Sequence, residues 1–536
     1  MFAHFRPIVV AFLSLALGIW FAELFRQGQI FYFAILTSVL VFISLLSLFY
    51  FLRPNKFFSY LWKNLKFILT FLSAFLIGFG SFTLLSSNVS KEQNVQVDSN
   101  ATYVIMGEVR FAPVEYETYM SMFIDNISLS DDTSTLNLGE QGMYVKIDTE
   151  NISDDSPLFT TKAGDTILLV GSVKNVDVFS KNSLFSYAYK NNFRYMAYSD
   201  SDEISVISGT QSGIDSVRQY IKDIIYGSMS ERNAGLAYAL FVGDVSGLDF
   251  DMQVNFQKTG IAHLLAVSGL NTALMAMVLM WIFKRCRIKP AISVIIIALF
   301  LAFYCVICNF CPSVMRASLM SVFLLLGQAF GKQSDNLNSV SLAGIILLLV
   351  SPMYLFDLSF LLSFASVFGI FLLYPLFEKA LLKMRLGQFV SSTLALSIAA
   401  QIGTLPLIIN TFGYVSVISL LVNFLVVPFM GYVYIAMFVC LLLTMIFPFM
   451  WWGLWLCQWG LWLVDVVSAW FAGWSFATVQ TEALASIFLV FFFVALFCFS
   501  RFCVITKRKP RIALYLSVLI IGVLLLIANH TIFPLL

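Results

Sequence analysis

Long apolar runs recur along this chain, and one extended stretch with a shorter period interrupts them. Residues 8–25, 30–52 and 67–86 are almost continuously apolar, each close to the ~20 residues a helix needs to cross a bilayer core. From about 101 to 205 the period changes. YVIMGEVRF, TYMSMFIDNISL, GMYVKID and DTILLVGSVKNV alternate apolar and polar positions between clusters of Gly, Asp, Asn and Ser. That pattern predicts short strands joined by turns and a small closed or half-closed β domain with its apolar alternate residues inside. The Tyr- and Phe-rich segment 179–198 follows the last clear strand and suits a stretch lying at a membrane interface.

Residues 215–231 carry Val217, Tyr220, Ile221, Ile224, Ile225 and Met229 at helical spacing, the mark of an amphipathic interfacial helix. The apolar run 233–243 is too short to span and ends at Gly243-Asp244, as a re-entrant or half-crossing segment would. Spans are predicted next at 261–283, 290–309, 312–330, 338–352, 359–377 and 388–409, followed by apolar stretches at 414–446, 449–474, 484–506 and 512–534. Two full spans within 414–446 would put the basic cluster 507–511 outside. Either one of these pieces is broken or re-entrant, or 414–446 is a single tilted span; Pro428 and Gly431 mark the expected break.

Composition turns this pattern into a fold class. With 60% hydrophobic and 12% charged residues and a mean hydropathy of +0.87, the chain reads as a polytopic α-helical membrane protein with a small β domain inserted after three N-terminal helices. Its net charge of +2 conceals an asymmetry: 18 acidic and 8 basic residues fall between Lys91 and Glu203, while 12 acidic and 24 basic residues make up the rest. Arg53, Lys56, Lys63 and Lys66 share a loop without an acid, and Lys284, Arg285, Arg287 and Lys289, then Lys332, then Lys379, Lys383 and Arg385 mark later loops. The positive-inside rule puts these loops in the cytoplasm and the acidic β domain on the extracytoplasmic side of the membrane. The expected divisions are N-terminal helices 1–90, β domain 91–208, interfacial and re-entrant segment 209–250, membrane core 251–506, and a basic loop with a last helix 507–536. All eight cysteines lie outside the β domain, which must therefore fold on its own apolar core. Its aromatics would suit stacking on single strands, yet its acidic field repels a polyanion; a structural or gating role stands beside a binding one.

The chemistry concentrates in 250–272, FDMQVNFQKTGIAHLLAVSGLNT. Here His263, Ser268, Gly269 and Asn271 sit in an apolar run, where polar groups must be paired or meet water. His263 could pack or function; as base to a Ser268 nucleophile it would lie on another flank of one helix, with no orienting carboxylate following. Arg316, in CPSVMRASLM, keeps its charge and so needs an acid, carbonyls, water or a phosphate; Asp357 and Asp465 are the acids available as ion-pair partners. Gln401, Thr404 and Pro406, in QIGTLP, form a polar, Gly/Pro-interrupted segment that either opens backbone to a pathway or packs as a kink. Cys305-x-x-Cys308-x-x-Cys311 has no His, Asp or Glu nearby to complete a metal site. No cofactor is expected.

GDVSGLDFDMQVNFQKTGIAHLLAVSGLNTALM (243–275), CPSVMRASLM (311–320), DNLNSVSLAGIILLLVSPMYLFDLSFLLSFASVFGI (335–370) and QIGTLPLIINTFG (401–413) occur in this order. Together they resemble the bacterial competence protein family ComEC, the inner-membrane channel for DNA uptake in natural transformation, over roughly 20–505. The resemblance implies that the inserted β domain is extracytoplasmic and OB-like, that single-stranded DNA is threaded inward, that another protein delivers DNA outside, and that an ATP-driven motor pulls inside; a homodimer is compatible with it. Transport without bond breaking is the implied activity, with His263, Ser268, Gly269, Asn271, Arg316, Gln401, Thr404 and Pro406 lining or gating the path. Two departures stand out. Many members carry histidine at the position of Asn271, and larger members append a metallo-β-lactamase-like domain, whose HxHxDH cluster has no counterpart here. The alternatives are a transporter of a small or lipid-linked substrate and a membrane hydrolase using Ser268.

Overall fold

The computed structural model describes residues 7–26, 57–92, most of 97–207, and 213–481 apart from 266, 332–335 and 386. The expected spans 30–52, 484–506 and 512–534 lie outside the described residues. Two compact units divide the chain, one formed by Arg6–Gln219 with Asp335–Asp357, the other by Tyr220–Ser334 with the chain from Leu358 onward.

In the first unit, helices α1 (Pro7–Arg26) and α2 (Phe57–Glu92) precede the β domain. They meet backbone to backbone. A Cβ on Gly18 would lie 2.2 Å from the Phe75 carbonyl oxygen, and one on Gly78 would lie 2.3 Å from that of Leu15, the close approach that small residues permit between membrane helices.

The β domain is a closed five-strand barrel. Strands β1 (Thr102–Val109), β3 (Tyr119–Asp131), β5 (Gly142–Asp148), β7 (Phe193–Ser199) and β6 (Thr166–Asn175) pair in that order, and a β1–β6 ladder closes the ring. All pairings around the ring are antiparallel except β5 with β7. Short strands β2 (Val114–Glu115), β4 (Ser134–Gly139) and β8 (Ser205–Ile207) attach at the sides. Strict alternation of burial along β1 and the buried Ile105, Met122, Ile124, Val145, Leu169 and Tyr195 give the core that the period-2 pattern requires. Residues 193–198 correct the expectation of an interfacial segment: FRYMAY is a barrel strand, with Phe193, Tyr195 and Ala197 buried. Its parallel partner β5 ends 45 residues earlier, so the pairing leaves no local signature.

The second unit holds most of the membrane core. The amphipathic stretch 215–231 forms helix α3 (Gly213–Ser228), whose part from Tyr220 belongs to this unit and buries Ile221 and Ile225. There follow α4 (Glu231–Val242), α5 (Phe250–Lys258), α6 (Gly269–Arg285), α7 (Pro290–Ile307) and α8 (Pro312–Ala329); α9 (Asn336–Val350) belongs to the first unit; α10 (Leu358–Lys383), α11 (Gln388–Phe412), α12 (Ser419–Ile446) and α13 (Trp451–Ala472) complete the described helices. Strands β9 (Tyr414–Ser416) and β10 (Thr478–Gln480) form a small ribbon. Six helical segments among the described residues are long and apolar enough to cross a bilayer: 69–87, α7, α10, α11, α12 and Pro448–Ala472. The chain is a multi-pass membrane protein.

Three expectations change. The span expected from 261 begins at 269: α5 stops before Gly260 at φ 75°, a 3-10 turn covers Ala262–Leu264, and extended Ser268 caps α6. Helix α11 runs unbroken through Gly403 and Pro406, and α12 runs unbroken through Pro428 and Gly431. A proline removes one hydrogen bond from a helix, and neighbouring helices in a membrane core tolerate that loss. The stretch 414–446 is thus a short strand followed by one 28-residue helix, ~42 Å at 1.5 Å per residue and long enough to cross with tilt.

Candidate functional site

Helix α4 is apolar on nearly every side, and Asn233 to Val242 are all buried, as expected of a helix that is hydrophobic all round. At 12 residues it falls short of a crossing, so its last carbonyls need donors inside the protein. Tyr304 of α7 donates to the Phe241 carbonyl at 2.9 Å, the Cys308 thiol reaches the same oxygen at 3.7 Å, and Asn271 Nδ2 of α6 donates to the Leu240 carbonyl at 3.4 Å. Gly243, at φ 86°, returns its N–H to the Ala239 carbonyl. Asn271 therefore ties α6 to the end of α4, and its side chain is buried.

The other end of α4 is held by charge. Arg232 contacts Asp465 of α13 through Nε (2.7 Å) and Nη2 (3.2 Å), and gives Nη1 to Asp249. Asp465 is buried and Asp249 is about half exposed. Asp465 is thus an ion-pair partner, as its place in an apolar helix requires, but its cation is Arg232. Sequence reasoning missed Arg232, whose partners lie 233 and 17 positions away.

Ser268 and Gly269 open α6. The Ser268 hydroxyl accepts the Asn271 N–H at 3.2 Å, an N-cap, so the serine is engaged in ending the helix. His263 lies on the preceding 3-10 turn with its side chain exposed, and its hydrogen-bond partner is the Gly260 backbone; it shares no helix with Ser268.

Arg316, in the second turn of α8, projects against this same helix start. A Cβ on Gly269 would lie 2.8 Å from Arg316 Nη2, so a side chain there would push the guanidinium from its present place. The cation sits over the Phe364 ring of α10, 5.6 Å from its centroid, and is 6% exposed. Its Nε and Nη1 have no hydrogen-bond partner among the described residues. Ser313, one turn earlier, shares a 2.8 Å hydrogen bond with Ser359 in the first turn of α10, so the starts of α6, α8 and α10 converge. Asp357, the other acid expected as a partner, is buried just before α10 and belongs to the first unit.

Gln401, Thr404 and Pro406 form a second group. Gly403 meets Gly369 of α10 so closely that a Cβ on either would reach backbone: 2.5 Å from the Ala365 oxygen for Gly403, 2.6 Å from the Ala399 oxygen for Gly369. Thr404 returns its hydroxyl to the Ala400 and Gln401 carbonyls of its own helix, at 3.1 and 3.2 Å. Pro406 is buried, and Gln401 Nε2 has no partner among the described residues. Helix α10 links the two groups, with Phe364 under Arg316 and Gly369 against Gly403.

Comparison with known proteins adds a family. The profile described as "Competence protein" matches residues 240–505. "ComE operon protein 3" of Bacillus subtilis (strain 168) is 34% identical over 214 residues, 40% of this chain and 27% of that protein. An "Uncharacterized protein" of Aquifex aeolicus (strain VF5) is 30% identical over 192 residues, 36% of this chain and 43% of its own length. The matched parts thus span about a quarter and under half of these relatives. No solved structure matches the chain. Residues 240–505, which hold Asn271, Arg316, Gln401 and Asp465 of the site just described, are thus similar to the competence protein family.

Proposed function

We propose that the chain is an inner-membrane channel that passes single-stranded DNA into the cytoplasm during natural transformation, by transport without bond breaking. The observation that carries this reading is the competence-family match over 240–505, and the polar groups of that segment agree with it. A strand bearing one charge per nucleotide needs a wet, polar route through lipid, and Arg316 offers a permanent cation with unused donors. The barrel, read as OB-like, is the extracytoplasmic part. A DNA-delivery protein outside, an ATP-driven motor inside and a second copy of this chain are the partners this role calls for.

The unpaired guanidinium also favours a second reading, a transporter of a small or lipid-linked anionic substrate. The hydrolase reading has less support, because the Ser268 hydroxyl caps α6 and the hydrogen bond of His263 goes to the Gly260 backbone. The test follows labelled duplex DNA into a nuclease-protected cytoplasmic pool, in cells with the gene deleted, restored, or carrying Arg316→Ala at matched abundance. Entry lost on deletion, recovered with the wild-type gene and impaired in the variant is expected. Entry unchanged by deletion, with no redundant channel present, would turn the search toward smaller substrates.

A further inference from the structure

The first four N–H groups of a helix have no intrahelical acceptor, and the aligned peptide dipoles leave a partial positive charge there. In α6 these include the N–H groups of Gly269 and Leu270, while that of Asn271 is already bound by Ser268. Arg316 brings a full positive charge to the same point, with Nη2 against Gly269 and the guanidinium carried on Phe364. Two positive groups facing each other in a buried place oppose folding unless an anion lies between them. The described residues provide none: Asp465 is held by Arg232, and Arg316 Nε and Nη1 stay without partners at 6% exposure.

We propose that the N-terminus of α6 and Arg316 form a binding site for a phosphoryl oxyanion. The ligand approaches the Gly269 and Leu270 N–H groups from one side and the guanidinium from the other. A tetrahedral group with several oxygens can meet donors that converge from two helices, as phosphate does at other helix N-termini. Resting on the transport reading, the physiological ligand is one backbone phosphodiester of the passing strand, so the site is a stepping point for successive phosphates. Gly269 is the residue that permits it, because any side chain there would displace the guanidinium. Phe364 attracts the cation through its ring and takes up no nitrogen donor, so Nε and Nη1 remain available.

The test uses the full chain purified in maltoside, which contributes no phosphate. Inorganic phosphate is titrated while thermal unfolding is followed. Wild type should gain stability with phosphate concentration, and Arg316→Gln should lose at least ~10-fold in apparent affinity, with Arg316→Lys between them. In phosphate-free buffer Arg316→Gln should match or exceed wild type in stability, since a buried unpaired charge has been removed; this control separates loss of a ligand from loss of fold. A five-residue thymidine oligonucleotide should bind wild type at least ~10-fold tighter than its uncharged methylphosphonate counterpart, and Arg316→Gln should erase the difference. Added phosphatidylglycerol should not compete with the oligonucleotide; competition that depends on Arg316 would assign the site to a lipid headgroup and overturn the nucleic-acid assignment. Equal phosphate response in wild type and Arg316→Gln would overturn the site while leaving DNA transport standing. Phosphate binding that requires Arg316, in a chain that passes no DNA, would remove the transport reading and keep the site.

Discussion

Single charged residues in this membrane core sort by what they can reach. Asp465 is buried in α13 and gripped by two nitrogens of Arg232, whereas Asp249 is about half exposed and touches one. Breaking a buried pair costs more than breaking an exposed one, because the exposed partner falls back on water. Asp465→Ala should therefore destabilise the chain by about 1–3 kcal/mol and Asp249→Ala by less than about 1 kcal/mol, read as loss of the fraction folded in detergent on heating. Equal losses would mean that the exposed Asp249 anchors α4 as firmly as the buried Asp465. Arg316 stood out in the sequence as a fixed charge in an apolar run, but the partner set around it did not. The pairing of Arg232 with Asp465 spans 233 residues and leaves no local mark, so Asp465 was open to Arg316 until the fold assigned it elsewhere. His263 and Ser268 were likewise joined on one expected helix, and the 3-10 turn Ala262–Leu264 with the extended Ser268 after it separates them.

Elements were legible where a short period repeats and obscured where backbone chemistry or a distant partner decides. The four strand runs read from alternation all appear, yet β7 was mistaken for an interfacial segment, its parallel partner β5 lying 45 residues back along the chain. Prolines were less decisive: the 401–406 segment was open between a break and a packed kink and Pro428 suggested a break, and both helices continue through them. What the QIGTLP segment encodes is a close crossing, with Gly403 against Gly369 and carbonyls at each Cβ position. Gly403→Ala and Gly369→Ala should each push α10 from α11 and cost about 1–3 kcal/mol, visible as reduced membrane abundance and earlier heat aggregation. Pro406→Ala, which restores an N–H within an intact helix, should leave abundance at or above wild type. A larger loss from Pro406→Ala than from Gly403→Ala would show that the kink, and not the crossing, is what this segment supplies.

Across the whole molecule, charge is the property that separates the barrel from the helices. The stretch from Lys91 to Glu203 has a net charge of −10 and the remainder +12, and basic loops are retained in the cytoplasm during insertion. Cysteine placement makes that orientation measurable: the barrel sequence has no cysteine, while Cys286 is exposed beside Lys284, Arg285, Arg287 and Lys289. Thr135, exposed on β4, offers a labelling point on the barrel. Thr135→Cys in a Cys286→Ser background should react with a membrane-impermeant maleimide on intact spheroplasts, and native Cys286 should react only after the membrane is opened. The reverse pattern would place the acidic barrel in the cytoplasm and the starts of α6, α8 and α10 at the inner face. A strand arriving from outside would then meet Arg316 at the end of its passage, so the orientation decides whether the guanidinium acts at entry or at release.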